Sequence, residues 1–213
     1  MKQIKDTEFL VIDFETITPK GRSPEPIEVG VLRIKQNQID KKASVDLLIK
    51  PPDGLHLTKM DTEQTGIREE DLNNKSNAIT VMKMIDKSCV KKDYIFIAQN
   101  ANYESNILSH YTNECKGIAK TPIIDTIRLA KYVWPNLENY KLDTLANTLG
   151  IKIPKNRHRA LPDCILTAQV FLGMLKVLQN NKKELIFLDD LLRITEIKTK
   201  YNQPQQIKLS SFL

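Results

Sequence analysis

Asp13 and Glu15 flank Phe14, Glu104 closes the run Asn100-Ala101-Asn102-Tyr103-Glu104, and His158 stands five residues before Asp163. Four carboxylates and one imidazole are the donor set of a two-metal hydrolase. Cleaving a phosphodiester requires an attacking water to lose a proton and negative charge on the phosphoryl and leaving oxygens to be neutralised. Two divalent ions about 4 Å apart do both. Mg²⁺ and Mn²⁺ take oxygen ligands, so a few carboxylates suffice and a substrate phosphate completes the shell. The cations also explain how so many like charges share one cleft, since repulsion alone would push carboxyl pKa values upward.

Taken singly, each residue has a plainer reading. A D-x-E pair commonly opens a surface loop, and a carboxylate in the first turn of a helix, as at Glu104 or Asp163, is favoured by the helix dipole. His158 between Arg157 and Arg159 reads as one more exposed basic residue. Their joint order and the elements beneath them carry the chemical reading.

Those elements follow from periodicity. Phe9 to Ile12 predicts a short central strand with Asp13 and Glu15 at its end, where a sheet opens into a cleft. Breakers between Gly21 and Pro26 predict a loop, and the alternation of Ile27, Val29 and Val31, then of Val45, Leu47 and Ile49, predicts two further strands of an antiparallel meander. Met60 to Leu72 reads as a turn and short helix, Ala78 to Cys89 as a helix, and Tyr94 to Ala98 as a strand. A helix begins after Asn100, Ile123 to Asp125 is a fifth strand, and Thr126 to Val133 and Leu142 to Leu149 are helices, the second stopped at Gly150. Leu161 to Leu178 sustains a long helix with Asp163 near its start. Three antiparallel strands, then two strands alternating with helices, predict an RNase-H-like α/β fold: a mixed five-stranded sheet flanked by helices. Residues 1–192 form the expected domain and 193–213 a polar tail.

The chain has 213 residues, enough for one such domain and a tail, and carries 32 Lys+Arg against 26 Asp+Glu. With part of the acidic total lining the cleft, the remaining surface is more basic than the net +6. Such a surface favours a polyanionic partner or serves solubility. Cys89, Cys115 and Cys164 lie far apart without a C-x-x-C pair, which excludes the usual zinc and disulfide patterns and fits a reducing cytosol. The N-terminal apolar run is too short for a signal peptide, and no stretch approaches a membrane span; the expectation is a soluble cytoplasmic protein with no membrane partner.

Asp13-x-Glu15, Asn100-x-x-Tyr103-Glu104 and His158-Arg159-Ala160-Leu161-x-Asp163 together resemble the DEDDh family of 3′→5′ exonucleases, over about Phe9 to Leu178. Arg128-Leu129-Ala130-Lys131-x-x-Trp134-Pro135 and the run from His158 to Cys164 look closest to exodeoxyribonuclease X. The resemblance implies that Asp13, Glu15, Glu104 and Asp163 hold two Mg²⁺ or Mn²⁺ ions, with Asp13 bridging them, and that His158 is the general base. Arg159, four residues before Asp163, stands where the sister subclass has a tyrosine, so the histidine subclass is indicated. The chain departs from the pattern at Glu104, usually aspartate, and at Gln99, usually histidine.

Phe14, Thr16, Asn100 and Tyr103 lie beside these residues and are candidates for contact with a terminal nucleotide, although Tyr103 also begins its helix's apolar stripe. Met60 and Ile67 are candidates for a wedge against the last base or for ordinary packing. At the C-terminus, Gln206, Leu209, Phe212 and Leu213 fall in a pattern that resembles a sliding-clamp-binding peptide, one polar anchor with an aliphatic and an aromatic plug. The function expected is hydrolysis of DNA from 3′ ends, in repair or proofreading. The same chemistry on RNA, or a non-catalytic adaptor for nucleic acid or clamp, are the alternatives.

Overall fold

The computed structural model describes residues 2–181 and 187–197. The strands are β1 (Phe9–Ile17), β2 (Glu25–Lys35), β3 (Gln38–Leu48), β4 (Ile95–Ala98), β5 (Ile123–Asp125) and β6 (Glu196–Ile197). The helices are α1 (Lys59–Thr65), α2 (Glu69–Leu72), α3 (Ala78–Lys91), α4 (Ala101–Ser109), α5 (Lys116–Lys120), α6 (Thr126–Val133), α7 (Leu142–Thr148), α8 (Ala160–Asn180) and α9 (Leu188–Thr195). They build one mixed sheet of order β3-β2-β1-β4-β5-β6, antiparallel from β3 to β1, parallel from β1 to β5, and antiparallel again at β6. The RNase-H-like α/β fold expected from the order of elements is therefore present.

Three details differ from the sequence reading. The first strand does not end at Asp13: it runs to Ile17, because β2 keeps pairing with it past the point where the apolar text breaks, with a bulge between Glu15 and Thr16. The sheet has a sixth strand, two residues long, which is below what periodicity can signal. The domain also continues past residue 192, since Thr195 and Ile197 are buried and Ile197 pairs with Ile123. Gln206, Leu209, Phe212 and Leu213 lie outside the described residues.

Side-chain alternation along β1 sorts its residues between two cores. Phe9 and Val11 pack with α6, α7 and α8, while Leu10, Ile12 and Phe14 pack with α3, α4 and α5. Phe9 meets Phe171 of α8 edge to face at 5.4 Å, and burying such rings contributes roughly 2–3 kcal/mol each. In length and composition α8 could cross a bilayer, contrary to the expectation that no stretch approaches a span. Ten of its residues are instead buried in the protein, Asp163 among them, as in the core helix of a globular domain. All three cysteines are buried and free.

Candidate active site

The cleft opens where the sheet loses a partner. β1 pairs with β4 only from Phe9 to Val11, after which β4 ends and the chain turns into α4. Asp13 stands two residues beyond that point, and the alternation of the strand puts Glu15 on the same face, toward α8. Asp163, in the first turn of α8, completes a group in which one oxygen from each of Asp13, Glu15 and Asp163 lies within 4.8 Å of the others. Glu104 enters from the first turn of α4 and lines the same cleft, of about 280 Å³, but stands outside that tight group. It is only 3% exposed, and its Oε2 has no hydrogen-bond partner among the described residues.

Each carrier is braced. The carboxylate of Glu28, on β2, accepts the backbone N–H of Ala160 at 2.9 Å and pairs with both Nε and Nη2 of Arg159, fixing the start of α8. Gly30 lies opposite Asp13 in the ladder, and α8 comes so close there that a Cβ would sit 2.5 Å from the carbonyl carbon of Ala160. On the other side, Asp125 accepts backbone N–H groups of Ile127, Ala101 and Asn100, tying α6 to the start of the helix that carries Glu104. Gln99 joins the same corner, accepting from Thr126 Oγ1 at 2.5 Å and donating to the carbonyl of Tyr140 at 2.9 Å.

Burial, with crowding, raises the carboxyl pKa values of Asp13, Glu15, Glu104 and Asp163. Burial, reinforced by Glu104, Glu15 and Asp163, holds Asp13 well above the usual carboxylate range. Burial and then Asp163 and Glu28 push Glu15 up to about 7, and burial pushes Glu104 up to about 8, with Asp125 adding to it. Burial also raises Asp163, opposed by Arg157 and by His158. A cluster of oxygens that resists full ionisation, with one buried oxygen unpartnered, suits hard divalent cations, whose charge reverses that cost. The donor set fits them.

The nucleotide-contact candidates divide. Thr16 Oγ1 and the Tyr103 hydroxyl share a 2.5 Å hydrogen bond beside the carboxylates, and Asn100 lines the cleft in a left-handed conformation, φ 62°. Phe14 is 5% exposed and packs mainly in the opposite core, yet it too lines the cleft. Ile67 is buried in a small cluster with Ile17, Ile27 and Leu72, whereas Met60, on α1, is 73% exposed. His158 stands apart from the carboxylate group: its side chain is exposed, its backbone is left-handed at φ 63°, and its backbone bonds to Asp163.

Four residues that hold the site escape a sequence reading. Glu28 and Gly30 occupy the non-apolar register of an alternating strand, which reads as a solvent face, yet Glu28 is fully buried because α8 covers it. Arg157 sits in a basic run, yet its guanidinium pairs with Asp163 and, through Nε at 2.8 Å, with Asp143 of α7. Asp125 sits at a strand end with nothing in its spacing to mark it as a double cap.

Residues 10–171 match the family model described as Exonuclease. The chain belongs to the exonuclease family. Its curated relatives include DNA polymerase III PolC-type of Thermotoga maritima, 33% identical over 91% of this chain, and that of Bacillus subtilis, 27% identical over 81%. This exonuclease-family chain spans only 14% and 12% of those proteins, respectively. Among solved structures, the nuclease domain of 3′hExo, described as a DEDDh family member bound to rAMP, has a TM-score of 0.71 at 17% identity, covering 87% of this chain and 98% of that one. Exonuclease X in complex with 5′ overhanging duplex DNA has a TM-score of 0.64 at 18% identity, with the same coverages. These two likenesses establish the shared fold.

Proposed function

We propose that this exonuclease-family domain removes nucleotides from the 3′ ends of DNA by metal-dependent hydrolysis. The observation that carries the reading is the convergence of Asp13, Glu15 and Asp163 within 4.8 Å, with Glu104 presenting an unpartnered buried oxygen to the same cleft. Asp13, Glu15, Glu104 and Asp163 would hold two Mg²⁺ or Mn²⁺ ions, which would neutralise phosphoryl charge and acidify the attacking water. His158 would serve as the general base, taking a proton from the attacking water. Its seat on an exposed loop bonded to Asp163 lets it approach a bound substrate. Thr16, Tyr103 and Asn100 position the terminal nucleotide.

DNA is favoured over RNA by the PolC-type relatives and by the sequence likeness to exodeoxyribonuclease X. The pattern Gln206, Leu209, Phe212 and Leu213 adds a sliding-clamp tether to this reading, on sequence alone, and the cell interior is the compartment that suits it. Incubating the protein with 5′-labelled single-stranded DNA and RNA in Mg²⁺ or Mn²⁺ tests the proposal. A ladder shortened from the 3′ end of DNA, lost in Asp13→Ala and in His158→Ala, is expected. Degradation of RNA alone would transfer the activity to RNA, and degradation of neither polymer would leave only a binding role. Deleting residues 206–213 should abolish retention on a purified sliding clamp.

A further inference from the structure

Arg157 is the one cation in direct contact with the carboxylate group among the described residues. Its side chain is 19% exposed and is held at both ends, by Asp163 inside the cleft and by the half-exposed Asp143 at the start of α7. The oxygen of Asp163 that it engages, Oδ1, is buried and has no other hydrogen-bond partner among the described residues. Its charge also acts on Asp13 and Glu15, in each case favouring the ionised form.

We propose that Arg157 competes with divalent cations for Asp163, so that this arginine sets the metal concentration at which the site fills. The inference rests on the metal-dependent reading of the cleft. A guanidinium and a dication repel each other, and both prefer an ionised carboxylate oxygen, so one oxygen of Asp163 serves one of them at a time. Asp143 makes the exchange feasible, because an arginine leaving Asp163 keeps a charge-assisted hydrogen bond on the rim. Arg157 is thus a positioning residue that keeps the carboxylates together and yields to the ion.

Mn²⁺ binding measured by titration calorimetry, without substrate, decides the matter. Arg157→Gln is expected to tighten the Kd for Mn²⁺ about tenfold, the equivalent of one charge-assisted hydrogen bond no longer displaced. A purely structural arginine predicts the opposite, since loosening the start of α8 would scatter the ligands. An unchanged or weaker Kd in Arg157→Gln overturns the competition while leaving the metal-dependent reading intact. Absence of Mn²⁺ binding by the unmodified protein overturns both. If Arg157→Gln does not fold, Arg157→Met takes its place: methionine keeps an apolar stem but removes the charge, so a tighter Kd upholds the competition and an equal or weaker one ends it.

Discussion

At the scale of single residues, Glu104 is where charge, burial and function pull in different directions. A carboxyl group that titrates at about 8 is costly to ionise at neutral pH, and nothing among the described residues satisfies its Oε2. Replacing it by the neutral isostere should therefore stabilise the fold while removing a ligand. We predict that Glu104→Gln raises the melting temperature in chelator at pH 8 by a few degrees and lowers nuclease activity by about 10²-fold or more. A variant that melts lower and cuts normally would contradict both halves. Glu104 was legible in the sequence as a helix-start carboxylate, but its depth was not, because burial depends on Asp125 drawing the start of α4 against the sheet. His158 was legible only as a type at a spacing, and its exposed, left-handed position follows from the loop before α8.

At the scale of elements, the junction between β2 and α8 decides whether Asp163 reaches Asp13. Gly30 allows that contact, since a methyl group there would meet the backbone of Ala160 and Leu161 at 2.5–2.6 Å, and backbone cannot rotate away as a side chain can. Gly30→Ala should push α8 off the sheet, cost about 1–3 kcal/mol by overpacking, and lower activity more than its stability loss explains. Normal activity at a normal melting temperature would show that the close approach is dispensable. Glu28→Gln tests the same junction through charge: it weakens a buried pairing with Arg159 and should cost about 2 kcal/mol, or roughly 4–8 °C in melting temperature. It should also let Glu15 titrate lower, because a repelling neighbour across the ladder is gone. The elements themselves were readable because their patterns are local: alternation in β2 and β3, helical spacing in α3 and α8. The junction was not, because alternation marks Glu28 and Gly30 as outward and only the tertiary cover of α8 turns that face inward.

At the scale of the whole molecule, a protein of net charge +6 folds around a site where negative charge is concentrated, and that arrangement has a measurable signature in pH. Glu15 titrates at about 7 and Glu104 at about 8 in the fold, Asp13 and Asp163 are raised in the same direction, and in the unfolded chain all return to the ordinary carboxylate range near 4. Between those limits the folded state binds more protons than the unfolded state, so stability falls as pH rises. The contribution is complete below about pH 4 and is lost as pH climbs through 7 to 8, the reverse of a protein whose carboxylates are held low by salt bridges. Divalent cations bind the ionised form and should offset the loss. We predict that in chelator the melting temperature drops by roughly 5 °C or more between pH 5.5 and pH 8, and that millimolar Mn²⁺ or Mg²⁺ removes most of the drop. The comparison is internal, since the same surface charges titrate in both series and only the cleft distinguishes them. A melting temperature that rises over this window in chelator would mean that the cleft carboxylates are ionised and satisfied by the protein itself, with Arg157 and Arg159 supplying the balance that the metal-dependent reading assigns to cations.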